Sequence, residues 1–292
     1  MRDNRRIFLF DVNHTLINTA LYHTQALEVL EKGLKKHTDA KSASYITERY
    51  DEIFLLMVAG FLLKTDKEWK EIRGGRTSYL ELMKLITKHQ EEVKNKWGFI
   101  KKWSREVFLK IAAEEIDVDI TPQALFELGT VYWDTITRLT EPLEEGKKLL
   151  SHLYSKGYPV YLLTSSDGRL TSNNGFFEYD PKLSGSYKKN RMKALSLKGL
   201  KFRDVIVGDP EDKPLPGYYE RAIKTIEKDM KKKIHISSFV MIGNSFEDDL
   251  ETLMEMNVGT GVLFKKGSSP MKKKNDIYRV GNLMEVVDLL SL

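Results

Sequence analysis

Five short apolar runs punctuate this chain: Ile7–Phe10, Val160–Leu163, Val205–Val207, Phe239–Ile242 and Gly261–Phe264. Most are bounded by Gly, Asp, Asn or Ser, and within each the apolar residues are continuous rather than alternating. Strands buried on both faces read this way. Helical stretches lie between the runs, at Glu144–Ser155, Gly217–Lys232 and Asp249–Met256. Strand alternating with helix predicts the α/β class, with an open, Rossmann-like parallel sheet.

Residues 17–140 have another texture. They are rich in Leu, Glu, Lys and aromatics, hold all four tryptophans (Trp69, Trp97, Trp103, Trp133) and contain a single proline, Pro122. A structureless connection of this length is improbable. We therefore expect an inserted all-helical domain at 17–140, and an α/β core made of 1–16 and 141–292. The tryptophans are expected as core or domain-interface anchors, Gly74-Gly75 and Ser172–Gly175 as loops, and Lys272, Lys273 and Lys274 as a solvated basic loop.

The chain lacks cysteine, which excludes disulfide scaffolds, thiolate metal sites and cysteine nucleophiles. Its net charge of +5 over 292 residues is mild and carries no nucleic-acid signature. The apolar run IFLF after the basic N-terminus stops at Asp11, too short for a signal peptide. The longest apolar run, Ile53–Leu63, falls well short of the roughly 20 residues a bilayer needs. No membrane association and a cytoplasmic location are expected.

In open α/β sheets, ligands bind beyond the carboxyl ends of the strands. The first run delivers Asp11, Asn13, His14 and Thr15 to that edge, and the second Thr164, Ser165 and Ser166. The third is followed by Lys213-Pro214, and the fourth by Gly243, Asn244, Ser245, Glu247, Asp248 and Asp249. Carboxylates, hydroxyls and an ammonium on one edge suit a phosphoryl group beside a hard metal ion.

These four segments, in this order and with a helical insert after the first, resemble the haloacid dehalogenase-like (HAD) superfamily. The resemblance covers roughly residues 1–20 and 140–292, and the insert has the position of the family's first-type cap. Each motif alone is weak; the ordered set is specific. The resemblance implies Mg²⁺-dependent phosphoryl hydrolysis of a small phosphorylated metabolite held between cap and core. It gives Asp11 as nucleophile, Thr164 and Ser165 as donors to the phosphoryl oxygens, and Lys213 as the ammonium that offsets charge on nucleophile and phosphate. The metal set would be Asp11, the backbone carbonyl of Asn13, Asn244, Asp248 as principal acid and Asp249 as auxiliary. In the cap, Arg73 and Arg76 are candidates for a second anionic group.

Two positions depart from the family pattern. Asn244 stands where the fourth motif carries its first Asp, and Asn13 where most family phosphatases carry the acid/base Asp. A carbonyl contact to a metal survives at Asn13, but an amide exchanges no proton near neutral pH. General acid–base catalysis is typically worth about 10²–10⁴-fold. Three readings follow: a slow or leaving-group-selective phosphatase, which we expect; a catalytically impaired protein that binds a phosphorylated ligand or partner; or a 2-haloacid dehalogenase, a branch that lacks the second Asp and the metal. His14, with an ordinary pKa of about 6.5, is the remaining titratable neighbour. It is expected to turn away from Asp11.

Overall fold

The computed structural model describes residues 6–63, 65–72, 74–269, 271–272 and 277–292. Nine strands occur among them: β1 (Ile7–Asp11), β2 (Val160–Thr164), β3 (Thr171–Asn173), β4 (Phe176–Glu178), β5 (Asp204–Val207), β6 (Phe239–Gly243), β7 (Thr260–Phe264), β8 (Met271–Lys272) and β9 (Ile277–Val280). The chain divides into two compact units. One comprises Met1–Leu21, Leu139–Ser166 and Gly185–Leu292; the other comprises Tyr22–Arg138 and Asp167–Ser184.

The first unit is built on a seven-stranded sheet in the order β5-β2-β1-β6-β7-β9-β8. Six strands are parallel and β8 runs antiparallel to β9. β1, β2 and β6 are buried along their whole length, as their unbroken apolar runs require. Alternate side chains feed opposite faces. Phe8, Phe10, Leu162 and Ile242 pack with Leu149, Leu150 and Leu153 on one side. Ile7, Leu9, Tyr161, Leu163 and Met241 pack with Tyr218, Tyr219 and Ile226 on the other. The strand order reverses between β1 and β6, and at such a switch point a crevice opens beyond the strand ends. Asp11 closes β1 and Gly243 closes β6, so both sit at its lip.

The second unit is mostly helical, with helices at His23–Leu34, Ala40–Leu62, Gly75–Lys88, Glu91–Trp97, Arg105–Glu114 and Pro122–Leu139. Its core gathers Leu30, Ile46, Tyr50, Phe108, Leu125, Tyr132 and Trp133. Trp97 and Trp103 pack against that core, and Trp69 stacks on Tyr79. This unit differs from the expected all-helical insert in one respect. Residues 167–184, expected in the α/β core, belong here and carry the β3–β4 hairpin. Asn174 and Gly175 link the two strands at φ 49° and 83°. An Asn-Gly pair supplies such a turn without strain at its glycine.

Among the described residues no helix is long and apolar enough to cross a membrane. Arg73, Lys273 and Lys274 lie outside the described residues, so the second-anion role of Arg73 and most of the basic cluster have no structural counterpart here.

Candidate active site

The turn after β1 is tied by its own backbone. Leu16 N and Ile17 N both donate to Val12 O, at 2.9 and 3.1 Å, and His14 N donates to Ile17 O at 2.6 Å. His14 takes the left-handed conformation at φ 60° and its side chain is exposed, whereas Thr15 is fully buried. The Thr15 hydroxyl donates to Asp11 Oδ2 at 3.0 Å and so orients the carboxylate.

The other Asp11 oxygen meets Lys213. Nζ lies 2.6 Å from Asp11 Oδ1 and 2.8 Å from Asp249 Oδ1, and the lysine side chain is only 3% exposed. Lys213 follows β5 on a segment held by Asp212, whose Oδ1 accepts from Lys213 N and whose Oδ2 accepts from Ser166 N. Burial alone would lower the Lys213 pKa, but the carboxylates of Asp11 and Asp249 more than reverse this and hold it well above the ordinary lysine value. Burial, reinforced by Asp249, raises Asp11 to about 6 even though Lys213 pulls it down. A buried −/+/− triad carries one net negative charge.

The two acids of the fourth segment have separate tasks. The expected helix from Asp249 onward begins earlier, as a π-helical turn over Phe246–Glu251 that passes into an α-turn at Thr252. Such wide turns recur at functional sites because they fit an additional residue into a helix. Asp249 is turned inward: Oδ1 pairs with Lys213, and Oδ2 accepts from Ser245 N at 3.0 Å. Gly243 permits this. A Cβ built on it would lie 2.4 Å from Asp249 Oδ2. Asp248 instead exchanges hydrogen bonds with the Ser245 hydroxyl at the start of the turn, and its carbonyl accepts from the Tyr219 hydroxyl. Both carboxylates are thus engaged by the protein.

Asn244 does face the nucleophile. One amide atom lies 3.2 Å from Asp11 Oδ2 and 3.0 Å from the Asn13 carbonyl oxygen. These separations allow a test of the Mg²⁺ that the resemblance implies. An octahedral ion with bonds of about 2.1 Å sets adjacent ligand oxygens about 3 Å apart. The inward Asn244 amide position has that spacing from both Asp11 Oδ2 and Asn13 O, so these residues fit an ion when the amide turns its oxygen inward; in the ion-free protein its nitrogen donates to both instead. The set for an ion is lean, one carboxylate and two neutral oxygens. Among the described residues no group of three or more His, Asp or Glu side chains gathers for a metal.

Thr164 ends β2 one position beyond Leu163, the partner of Asp11 in the sheet. Its buried hydroxyl makes one long contact of 3.5 Å, to Ser165 O, and Ser165 is half-buried behind it. Asn13 Oδ1 is buried without a hydrogen-bond partner among the described residues. The sequence places Thr15, Gly243 and Ser245 at the strand ends but assigns them no role, and it gives none to Asp212 or Tyr219. Thr15 and Gly243 were visible as motif letters. The contacts of Asp212 and Tyr219 span distances along the chain that no local pattern encodes.

No family model matches the chain, and no curated protein does. Solved structures do. The putative HAD-hydrolase YfnB from Bacillus subtilis, described bound to magnesium, superposes with a TM-score of 0.53 at 13% identity over 99% of each chain. A HAD phosphatase from Thermococcus onnurineus gives 0.50 at 16%, covering 98% of this chain and 97% of its own. A 2-haloacid dehalogenase from Pseudomonas syringae pv. Tomato DC3000 gives 0.53 at 16% over 98% of each. The chain therefore has the HAD-like hydrolase fold, a Rossmann-like core with a mostly helical second unit. Phosphatase and dehalogenase both occur among the similar structures, so the likeness does not choose between them.

Proposed function

We propose that the chain is a Mg²⁺-dependent phosphohydrolase that acts on a small phosphorylated metabolite through an aspartyl-phosphate at Asp11. The observation that carries this reading is the buried Asp11 carboxylate, held by Lys213 and Thr15 at the switch point of the sheet. In the first step the carboxylate forms an oxygen–phosphorus bond as the bond from phosphorus to the leaving oxygen breaks. In the second, water adds to phosphorus, the Asp11–phosphorus bond breaks, and inorganic phosphate departs. Splitting one hard displacement into two is the gain of covalent catalysis.

Lys213 offsets the charge of Asp11 and of an arriving phosphoryl group, while Asp249 fixes the ammonium in place. The Thr164 hydroxyl and the backbone N–H of Ser165 are the donors for the remaining phosphoryl oxygens. Asp11 Oδ2, Asn13 O and Asn244 would hold the cation, which when bound neutralises charge on the transferring group. Asn13 gives no proton to the leaving oxygen. Substrates whose leaving group departs unprotonated, such as acyl or aryl phosphates, are therefore favoured over sugar or alkyl phosphates.

A second reading is favoured by one observation: amides stand at both 13 and 244, the two positions where family phosphatases carry acids. A 2-haloacid dehalogenase needs neither acid. A panel of acyl, aryl and alkyl phosphates with a 2-haloacid, each run with Mg²⁺ and with chelator, separates the two. Mg²⁺-dependent phosphate release supports the first. Chelator-indifferent halide release supports the second. No turnover in any arm points to a protein that only binds its phosphorylated ligand.

A further inference from the structure

We propose that the helical unit holds a binding site for a small monocarboxylate with an apolar body, and that Arg105 receives the carboxylate. Every residue of the site belongs to that unit. The proposal stands apart from the phosphoryl chemistry at Asp11, and its test uses no turnover.

Arg105 opens the helix Arg105–Glu114, directly after its cap residue Ser104, and is only 6% exposed. Its guanidinium is always charged, and a buried charge is costly unless an opposite charge and hydrogen bonds meet it. Here that compensation is incomplete. Nη1 donates to Trp103 O at 3.2 Å, whereas Nε is buried with no hydrogen-bond partner among the described residues. The nearby acids do not fill the gap. Glu106 binds Arg169 Nε and the Ser104 hydroxyl. Asp51 binds His23 Nε2 at 2.7 Å, and His23 Nδ1 in turn meets the Tyr132 hydroxyl at 2.6 Å. Asp167 acts on Arg105 through space.

Four rings surround the group. The centroids of Phe54, Trp133, Phe108 and Tyr132 lie 4.7, 5.0, 5.6 and 5.7 Å from Arg105 Cζ. Cation–π attraction offsets part of the desolvation, but it leaves the N–H at Nε without an acceptor. Nε and the terminal nitrogen beside it form one of the forks by which a guanidinium grips a carboxylate with two parallel hydrogen bonds. An aromatic series leads outward from this point. Phe54 packs edge-on to Trp103 and Trp103 to Phe61, with centroids 6.4 Å apart in each pair. Phe54 and Trp103 are half-buried, and Phe61 is 50% exposed. Such walls suit an apolar body whose carboxylate reaches Arg105. The charge balance selects the same class. One under-compensated cation matches one negative charge, whereas a phosphate dianion would bring a second charge towards Asp51, Glu106 and Asp167.

The test is a titration of the full chain with phenylacetate, followed by calorimetry and by the NMR signal of the Arg105 Nε–H, assigned through bonds from its own backbone. Phenethyl alcohol, the neutral counterpart, and inorganic phosphate are run beside it. A saturable shift of the Arg105 signal with phenylacetate is expected, with the alcohol and phosphate each binding about tenfold or more weakly, the scale of a hydrogen bond to a charged group. Arg105→Lys keeps the charge but not the fork, and is expected to lose about tenfold in phenylacetate affinity. An Arg105 signal that does not shift saturably, alcohol or phosphate binding within about twofold of phenylacetate, or a folded Arg105→Lys that binds within about twofold of wild type each overturns the site. Circular dichroism and melting check that the variants fold. Phe61→Ala, a change at an exposed position, keeps the proposal falsifiable should Arg105→Lys not fold. It is expected to weaken phenylacetate several-fold while the Arg105 signal still shifts at saturation; unchanged affinity would contradict an apolar body lying along the aromatic series.

Discussion

Lys213 Nζ lies 2.6 Å from Asp11 Oδ1, with both side chains withdrawn from solvent at the end of β1. The lysine also binds Asp249, so one ammonium holds two carboxylates in register.

Removing that ammonium leaves two buried acids unpaired. Lys213→Met is expected to lower kcat by about 10²-fold or more, the scale for losing one electrostatic stabiliser. Stripping one partner from a buried ion pair typically costs about 3–5 kcal/mol, so urea unfolding at neutral pH should show a loss of that order. An unchanged midpoint would mean the triad is not buried as described.

The acid limb follows from Asp11. In chelated protein its carboxyl is expected to titrate near 6, above the ordinary 3.8, and carboxyl NMR reads this directly. Asp249→Asn removes a like charge and is expected to bring that midpoint down. The sign for stability runs the same way. A raised folded pKa means the fold binds the Asp11 proton more tightly than the unfolded chain, so this group's contribution is present below pH 3.8 and lost as pH rises through about 6. Nucleophilic activity runs oppositely, falling as pH drops through 6.

Asn13→Asp restores an exchangeable proton beside the leaving group. Alkyl phosphate turnover is expected to rise by about 10²–10⁴-fold, with little change for acyl phosphates. Steady-state kinetics on both substrate types measures the contrast. An equal effect on both would show that leaving-group protonation does not limit the wild type.

Gly243→Ala forces a methyl into the space that Asp249 occupies, 2.4 Å from its Oδ2. Overpacking of this kind costs about 1–3 kcal/mol. Activity should fall with stability, and the Asp11 titration should shift, because Asp249 must retreat. A variant that loses stability while keeping its Asp11 titration would show that Asp249 is not held by that contact.

The fold was readable because buried parallel strands carry an unbroken apolar signal. All five expected runs are strands of the one sheet, and of the charged residues named at their ends Asp11 and Asp249 meet Lys213, whereas Asp248 turns to Ser245. The loop expected at Ser172–Gly175 holds only for Asn174 and Gly175; Ser172 and Asn173 belong to β3, because the two flanking strands are three residues each, too short for periodicity to declare them. The separate tasks of Asp248 and Asp249 were not legible. Adjacent acids at a helix entrance look alike in sequence, and only the π-helical turn decides which one points inward. The gathering of 167–184 with the helical unit escaped for a similar reason. It rests on pairings such as the buried Arg169–Glu106 ion pair, between residues 63 positions apart.

The proposed chemistry requires Asp11 as a covalent nucleophile. Acid quenching of the full chain during turnover of an acyl phosphate with Mg²⁺, followed by peptide mass analysis, tests this most directly. A phosphoryl adduct on the peptide bearing Asp11, absent from Asp11→Asn, is the predicted result. Sustained turnover with no adduct at Asp11, or undiminished turnover by Asp11→Asn, would contradict it.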